Sequence, residues 1–134
     1  MIMKEKRVNE SHIDEIVELV QGEDILLNLD RHDVENMLMG KEGMLYEACN
    51  ENGTDNATFL KEFFGELMQK DAVRKCKSLL IGICMCMEVP LMMDDMDIVN
   101  DFFASIGNAD MDIKWGMQRR SAEGNMSIMA VCME

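Results

Sequence analysis

The stretch Ser78-Leu-Leu-Ile-Gly-Ile-Cys-Met-Cys-Met87 is apolar on both alternating sides, and it predicts a strand that is covered on each face. Such a strand lies at the centre of a sheet, and Pro90 ends it. Cys84 and Cys86 fall on one side of the strand, too close together for a standard tetrahedral zinc pair. No Cys or His partner at zinc-ligand spacing occurs elsewhere. We therefore expect both thiols to pack in the core, reduced and free of metal.

Outward from this strand, hydrophobic periodicity predicts four helices and four strands in the order ααβαβαββ. The first helix begins at a Ser11 cap and stops at Gly22, and the second is capped by Asp30 and ends at Gly40. The other elements are a strand over 42–50, a helix from 54 or 55 to about 69, the strand at 78–87, a helix over 92–106, and strands over 111–117 and 126–133. Helices separate three of the strands, so we expect these to pair in parallel, and the last two strands to form an antiparallel pair. The expected fold is α+β, close to α/β, with a small, mixed, mainly parallel four-stranded sheet and helices packed on it.

The length, composition and net charge of the chain narrow the class of protein. A chain of 134 residues fits one domain, which we place at 11–134 after a polar N-terminal segment, 1–10. The apolar share of 48% excludes a disordered chain, yet no run reaches the length of a membrane span. A net charge of −13 argues against a nucleic-acid partner. An odd number of cysteines, five, and a start without an apolar export signal favour a cytoplasmic protein with reduced thiols.

The loop Asn28-Leu29-Asp30-Arg31-His32-Asp33-Val34 opens the second helix and allows two interpretations. In the first, Asp30 caps the helix and Asp33 lies in its first turn, where the helix dipole favours negative charge. In the second, the loop presents one amide and two carboxylates at the surface, a set suited to holding an attacking or metal-associated water. Residue types and spacing alone favour the first.

Other candidate sites have simpler explanations. Asp94, Asp95 and Asp97 fit a solvated helix face better than a cation site. The nine glycines are scattered, and no phosphate-binding G-x-x-x-x-G-K or G-x-G-x-x-G motif occurs. His12 and His32 lack a nucleophile pattern nearby, and no G-x-S-x-G or Cys/His signature is present. We therefore expect no cofactor, no metal and no complete catalytic set on the chain.

From about Ser11 to Glu134, the order of elements and several local strings resemble the C-terminal half of the bacterial cell-division protein FtsZ, a tubulin relative. The family's loop reads roughly G-L-I-N-x-D-F-A-D-V, and this chain reads Ile25-Leu26-Leu27-Asn28-Leu29-Asp30-Arg31-His32-Asp33-Val34. An A-T-G-E-N-R-A-like turn has its counterpart in Asn52-Gly53-Thr54-Asp55-Asn56-Ala57, and a D-x-x-I-x-x-G strand in Asp110-Met-Asp-Ile-Lys-Trp-Gly116. The other matching segments are 44–50, 79–87, 92–106 and 125–132.

The resemblance implies a role for the loop. In FtsZ it lies on the bottom face of one subunit and inserts over the GTP held on the top face of the next. There its Asn and two Asp help to place the water that attacks the γ-phosphate; the matching positions are Asn28, Asp30 and Asp33. Arg31 and His32 replace the family's Phe-Ala at the interface. The family's nucleotide-binding domain, with its G-G-G-T-G-T-G loop, has no counterpart in this sequence.

Two hypotheses from different classes follow. In the first, the chain is a non-enzymatic binding module that docks its loop face on the nucleotide face of a full-length FtsZ and modulates filament assembly. In the second, it is a free-standing domain of the same fold that binds an unrelated protein or a small ligand, or that associates with itself. Neither hypothesis calls for nucleic-acid binding or membrane insertion. Independent enzymatic activity ranks third.

Overall fold

The structure, a computed structural model, describes residues 2–20, 24–27, 31–51, 53–86, 91–106, 111–120 and 126–133. Six strands and five helices lie in these ranges. The strands are β1 (Lys4–Asn9), β2 (Asp24–Leu27), β3 (Glu42–Cys49), β4 (Ser78–Cys86), β5 (Asp112–Arg120) and β6 (Ser127–Met133). The helices are α1 (Ile13–Val20), which a 3-10 turn (Glu10–His12) precedes, α2 (Arg31–Leu38), α3 (Asn56–Met68), α4 (Asp71–Lys75) and α5 (Met93–Ile106).

The strands form one mixed sheet in the order β1-β3-β6-β4-β5-β2. This confirms the α+β class with helices on a mixed sheet, but it corrects the predicted four strands to six. It also corrects the expected mainly parallel pairing, because only β4 and β5 pair in parallel and the other four pairs are antiparallel. The reason is the position of β6. It lies between β3 and β4 and runs opposite to both, so these two strands share a direction without being neighbours.

Strand β4 occupies the central place that its sequence predicts. It pairs with β5 on one side and with β6 on the other, and its side chains from Leu79 to Ile83 are buried on both faces of the sheet. The expected antiparallel pairing of the last two strands is therefore wrong, since β4 separates them. Burying an apolar strand on both faces and both edges removes more surface from water than leaving it beside an open edge.

Each face of the sheet carries its own apolar core. Along β3, Tyr46 and Ala48 face α3 and α5, whereas Leu45, the residue before Tyr46, faces α1 and α2. The two layers follow from the strand period of two residues and the helix period of 3.6. The apolar residues at helical spacing on α2 and α3 are buried: Val34, Met37, Leu38, Leu60, Phe63, Phe64 and Leu67.

Three short elements were not predicted, and each has a physical reason. β1 lies within the polar N-terminal segment, 1–10. It is a charged edge strand whose one fully buried side chain is Val8, and charge is a common protection for sheet edges. β2 and α4 have four and five residues, too few to show a period.

The start of the first helix also differs from the prediction, because Asn9 rather than Ser11 is the cap. The Asn9 side chain accepts a hydrogen bond from the Ser11 backbone N–H at 2.9 Å. The Asn9 N–H in turn donates to Nδ1 of His12 at 3.0 Å, so His12 serves this reciprocal cap.

Candidate functional site

The loop predicted to carry function lies where α2 begins, close to β5. Asn28 and Asp30 are outside the described residues, and so is the predicted cap at Asp30. Arg31, His32 and Asp33 form the first turn of α2, as predicted for Asp33. Arg31 and His32 are exposed and Asp33 is partly buried. The three residues therefore come together on one turn, which we call the α2 entry turn.

Asp33 forms an ion pair with a lysine on β5. Its Oδ1 lies 3.3 Å from Nζ of Lys114 on β5, and the two side chains are 25% and 37% exposed. The first turn of a helix also favours a carboxylate through the helix dipole. This ion pair joins α2 to the sheet.

Arg31 is engaged by two carboxylates of its own chain. Its Nε donates to Oε1 of Glu35, one helical turn on, at 2.8 Å, and its guanidinium donates to Oδ1 of Asp14 on α1 at 2.5 Å. Hydrogen bonding to Asp14, and then to Glu35, raises the pKa of Arg31 further above its ordinary value. The arginine therefore links α1 to α2 across the surface, while His32 beside it is exposed.

Lys114 is the residue of this site that sequence reasoning missed. Along β5, Ile113, Trp115 and Met117 pack against the core that contains α3 and α5. Lys114 lies between them in the alternation and so faces the layer of α1 and α2. The sequence does contain one indication of this role, which is that Lys114 is a charged residue at a polar position of an alternating strand. Its partner is 81 positions away in the chain, so the pairing could not be read from spacing.

A cavity of about 190 Å³ lies toward the other end of the same face. A row of small side chains from three neighbouring strands forms part of its wall: Cys49 pairs with Ser127, and Ser127 with Cys84. Cys84 is buried, as predicted; the side chain of Cys86 is outside the described residues. Among the described residues, no group of three or more His, Cys, Asp or Glu side chains could hold a metal ion.

The acidic run at the start of α5 was expected to be solvated throughout, and one of its residues is buried. Asp94 and Asp97 are exposed, as predicted for a solvated face. Asp95 is buried instead, because its Oδ2 accepts a hydrogen bond from the backbone N–H of Met92 at 2.9 Å. A side chain at the third helical position that reaches back to the capping residue is half of a capping box. The side chain therefore has a structural role.

No protein-family model matches the sequence, and no curated protein matches it. Among solved structures, the chain is similar to one described as an empty FtsZ dimer from M. jannaschii, with a TM-score of 0.52 and 17% sequence identity. The fold is FtsZ-like. The match covers 84% of this chain and 33% of that FtsZ chain. At this identity the likeness shows the fold alone, and this chain spans about a third of the length of the FtsZ that it matches.

Within the described residues, the FtsZ-like chain has no helix that is both long and apolar enough to cross a membrane.

Proposed function

We propose that this chain corresponds to the C-terminal half of FtsZ and acts as a non-enzymatic binding module, which docks its α2 entry turn on the nucleotide face of a full-length FtsZ. The observation that carries the proposal is the α2 entry turn in an FtsZ-like fold. Arg31, His32 and Asp33 lie together at the start of α2, where the resemblance assigns the loop that meets the next subunit. Asn28 and Asp30 complete the proposed contact.

The charges at the α2 entry turn support a positioning role. Lys114 pairs with Asp33 and holds its carboxylate in place as a hydrogen-bond acceptor. On a partner's GTP, such a group would orient a water molecule, while the phosphate-binding groups come from the partner. The chain then contributes to a GTP site without being an enzyme itself.

A role in filament assembly follows from the geometry of head-to-tail growth. A head-to-tail contact joins two different faces, so each subunit must offer both for the filament to extend. A module with the loop face alone would bind one end and offer nothing to the next subunit. It would therefore cap or tune the filaments of cell division. This proposal requires the module and its partner to share the cytoplasm.

The proposal is tested with a full-length FtsZ from the same organism. We expect sub-stoichiometric module to reduce the amount of FtsZ that sediments with GTP, and to change the rate of phosphate release, because a blocked end affects every subunit behind it. Asp33→Ala should remove most of this effect. Asp97→Ala is the matched control, since Asp97 is an exposed aspartate on α5, on the opposite face of the sheet.

Two outcomes would contradict the proposal. The first is that excess module leaves both sedimentation and GTP turnover unchanged. The second is that Asp97→Ala loses as much of the effect as Asp33→Ala. Circular dichroism of each variant shows whether it is folded. Lys114→Ala, which removes the partner of Asp33 and leaves the carboxylate in place, should weaken the effect less than Asp33→Ala.

One observation favours the second candidate, a domain of the same fold with an unrelated protein or small-ligand partner, or one that self-associates. Arg31 uses its guanidinium on Asp14 and Glu35 within the chain, at a position where the FtsZ family has an apolar residue for the interface. If FtsZ does not respond, sedimentation equilibrium of the module alone distinguishes self-association from a monomer.

A further inference from the structure

Two buried cysteines from distant parts of the chain meet in the core beside α3. Cys76 follows α4 and is 5% exposed, and Cys132 lies near the end of β6 and is 2% exposed. Both belong to the same apolar cluster, and their thiols are hydrogen-bonded to each other. Nothing in the docking proposal uses this pair.

Backbone hydrogen bonds attach the segment that follows Cys76 to the end of β6. The N–H of Lys77 donates to the carbonyl of Met133 at 2.9 Å, and two residues further on Leu79 is paired with Cys132 in the β4–β6 ladder. The segment after α4 is therefore attached to the end of β6. Cys132 is also oriented from the other side, because its Sγ lies 3.7 Å from the carbonyl oxygen of Met44 on β3.

The two thiols are not equivalent. The hydrogen bond from Cys132 lowers the pKa of Cys76, whereas the pKa of Cys132 is raised by that same interaction and by burial. In redox-active cysteine pairs, the more acidic thiol attacks the oxidant and the less acidic thiol resolves the product, so this pair matches that arrangement.

A small cleft borders the pair on the side of Cys132. A cleft of about 80 Å³ is lined by Arg7, Glu42, Gly43, Met44, Ala72 and Cys132. Ala72 belongs to α4, which has five residues and whose N-cap residue, Lys70, provides no side-chain cap. A helix this short opens locally at low cost, so the cover over the two thiols is among the less stable parts of the fold.

We propose that Cys76 and Cys132 form a site of oxidative modification, which small hydroperoxides convert to an intramolecular disulfide. The Cys76 thiolate attacks one oxygen of hydrogen peroxide, the O–O bond breaks, and hydroxide leaves and takes up a proton as water. Cys76 is then a sulfenic acid. The Cys132 thiol attacks its sulfur, the S–O bond breaks, and a second water leaves with the thiol proton. Two thiols are oxidised and one peroxide is reduced.

The disulfide would close a long loop between the α4–β4 connection and β6. Closing a long loop restricts the unfolded chain more than the folded one, so the oxidised protein should melt at a higher temperature, by on the order of 10 °C. The docking proposal can fail without affecting this inference, because the thiol pair lies on the other face of the sheet from α2.

The experiment treats the Cys49→Ser variant with a small excess of hydrogen peroxide, since Cys49 is exposed and would otherwise form links between molecules. Digestion without reduction, followed by mass spectrometry, should yield a peptide pair that joins Cys76 and Cys132. The intact protein should lose two hydrogens and regain them with a reductant. Melting curves with and without reductant should show the temperature shift.

The matched control is Cys84→Ser, which removes another buried cysteine and should leave the Cys76–Cys132 link intact. Cys76→Ser and Cys132→Ser should each abolish it. The inference is overturned if both thiols remain free for alkylation after peroxide treatment and unfolding, or if the link formed is to a different cysteine. Because the linked peptide is read in a protein that keeps both thiols, misfolding of a serine variant does not weaken the test.

Discussion

Gly43 lies where β3 comes closest to the side chain at the end of β6. It is paired with Met133 in the β3–β6 ladder, and a Cβ at this position would collide with Sδ of Met133 and with the carbonyl oxygen of Cys132. The backbone of Gly43 is not in the positive-φ region, so space rather than conformation requires glycine here. The sequence did not indicate this requirement, since a single glycine in a strand pattern has several explanations.

Gly43→Ala should destabilise the protein by roughly 1–3 kcal/mol, because an added methyl group in a packed contact forces side chains or strands to move. Gly65→Ala is the matched control. Gly65 is an exposed position inside α3 with nothing within 4 Å of an added Cβ, so alanine there should stabilise by roughly 0.5–1 kcal/mol. Urea unfolding of both variants measures the difference. Equal stability of the two would show that the close contact at Gly43 does not exist in solution.

The α2 entry turn shows what a residue-scale prediction can and cannot include. Asp33 was expected in the first turn of a helix, and it lies there. Its ion pair with Lys114 and the contact of Arg31 with Asp14 were not expected. Both contacts join different elements, whereas a cap depends on residues within one turn.

At the scale of an element, α3 is the clearest success of the sequence pattern. The helix was predicted to run from Thr54 or Asp55 to about Gln69, and it spans Asn56–Met68 with Asp55 as its N-cap. The Asp55 carboxylate accepts hydrogen bonds from the hydroxyl and the backbone N–H of Thr58, at 2.6 and 3.3 Å. The hydrogen bond from the hydroxyl has the larger effect, and together the two bonds lower the pKa of Asp55 below its ordinary value.

Asp55→Ala should lower the melting temperature by a few degrees at pH 7, since an orphan helical N–H loses its acceptor. A lowered folded-state pKa adds stability that is present above the unfolded pKa, about 4, and is lost as the pH falls through the folded value. The acid side of the stability curve should therefore be flatter in Asp55→Ala than in the parent. Asp55→Asn, which keeps an oxygen acceptor without the charge, should retain most of the stability at pH 7 and share the flatter curve. Melting curves between pH 2 and pH 7 test both points, and an unchanged acid slope would contradict the assignment.

The elements that sequence reasoning missed are the short ones and the charged edge strand β1. β1 has charged residues at its first four positions, so it carries no hydrophobic alternation to read. Its place in the sheet comes from backbone hydrogen bonds to β3, which any side chain permits. Long amphipathic helices and strands buried on both faces can be predicted from sequence, because burial restricts which side chains they carry. Edge strands are harder to predict, because burial restricts their side chains less.

At the scale of the whole molecule, the chain should bind neither GTP nor GDP. A phosphate cradle needs backbone N–H groups from a Gly-rich loop at a helix N-terminus, and the sequence contains no such loop. The net charge of −13 further opposes a triphosphate. Calorimetric titration with GTP and Mg²⁺ should be flat, with a full-length FtsZ as the positive control. A micromolar dissociation constant would contradict the non-enzymatic proposal.

The sequence alone determined the elements whose residues repeat at a regular spacing, and with them the α+β class. β4, α3 and α5 were predicted close to their observed bounds, because periodic burial of neighbouring residues is a local property.

Only the tertiary structure decided the order of the strands, the insertion of β6 between β3 and β4, and the pairing of Asp33 with Lys114 and of Cys76 with Cys132. These contacts join residues that are far apart in the chain. Which residues meet depends on how the helices pack on both apolar faces of the sheet, and the spacing of residues along the chain does not contain that information.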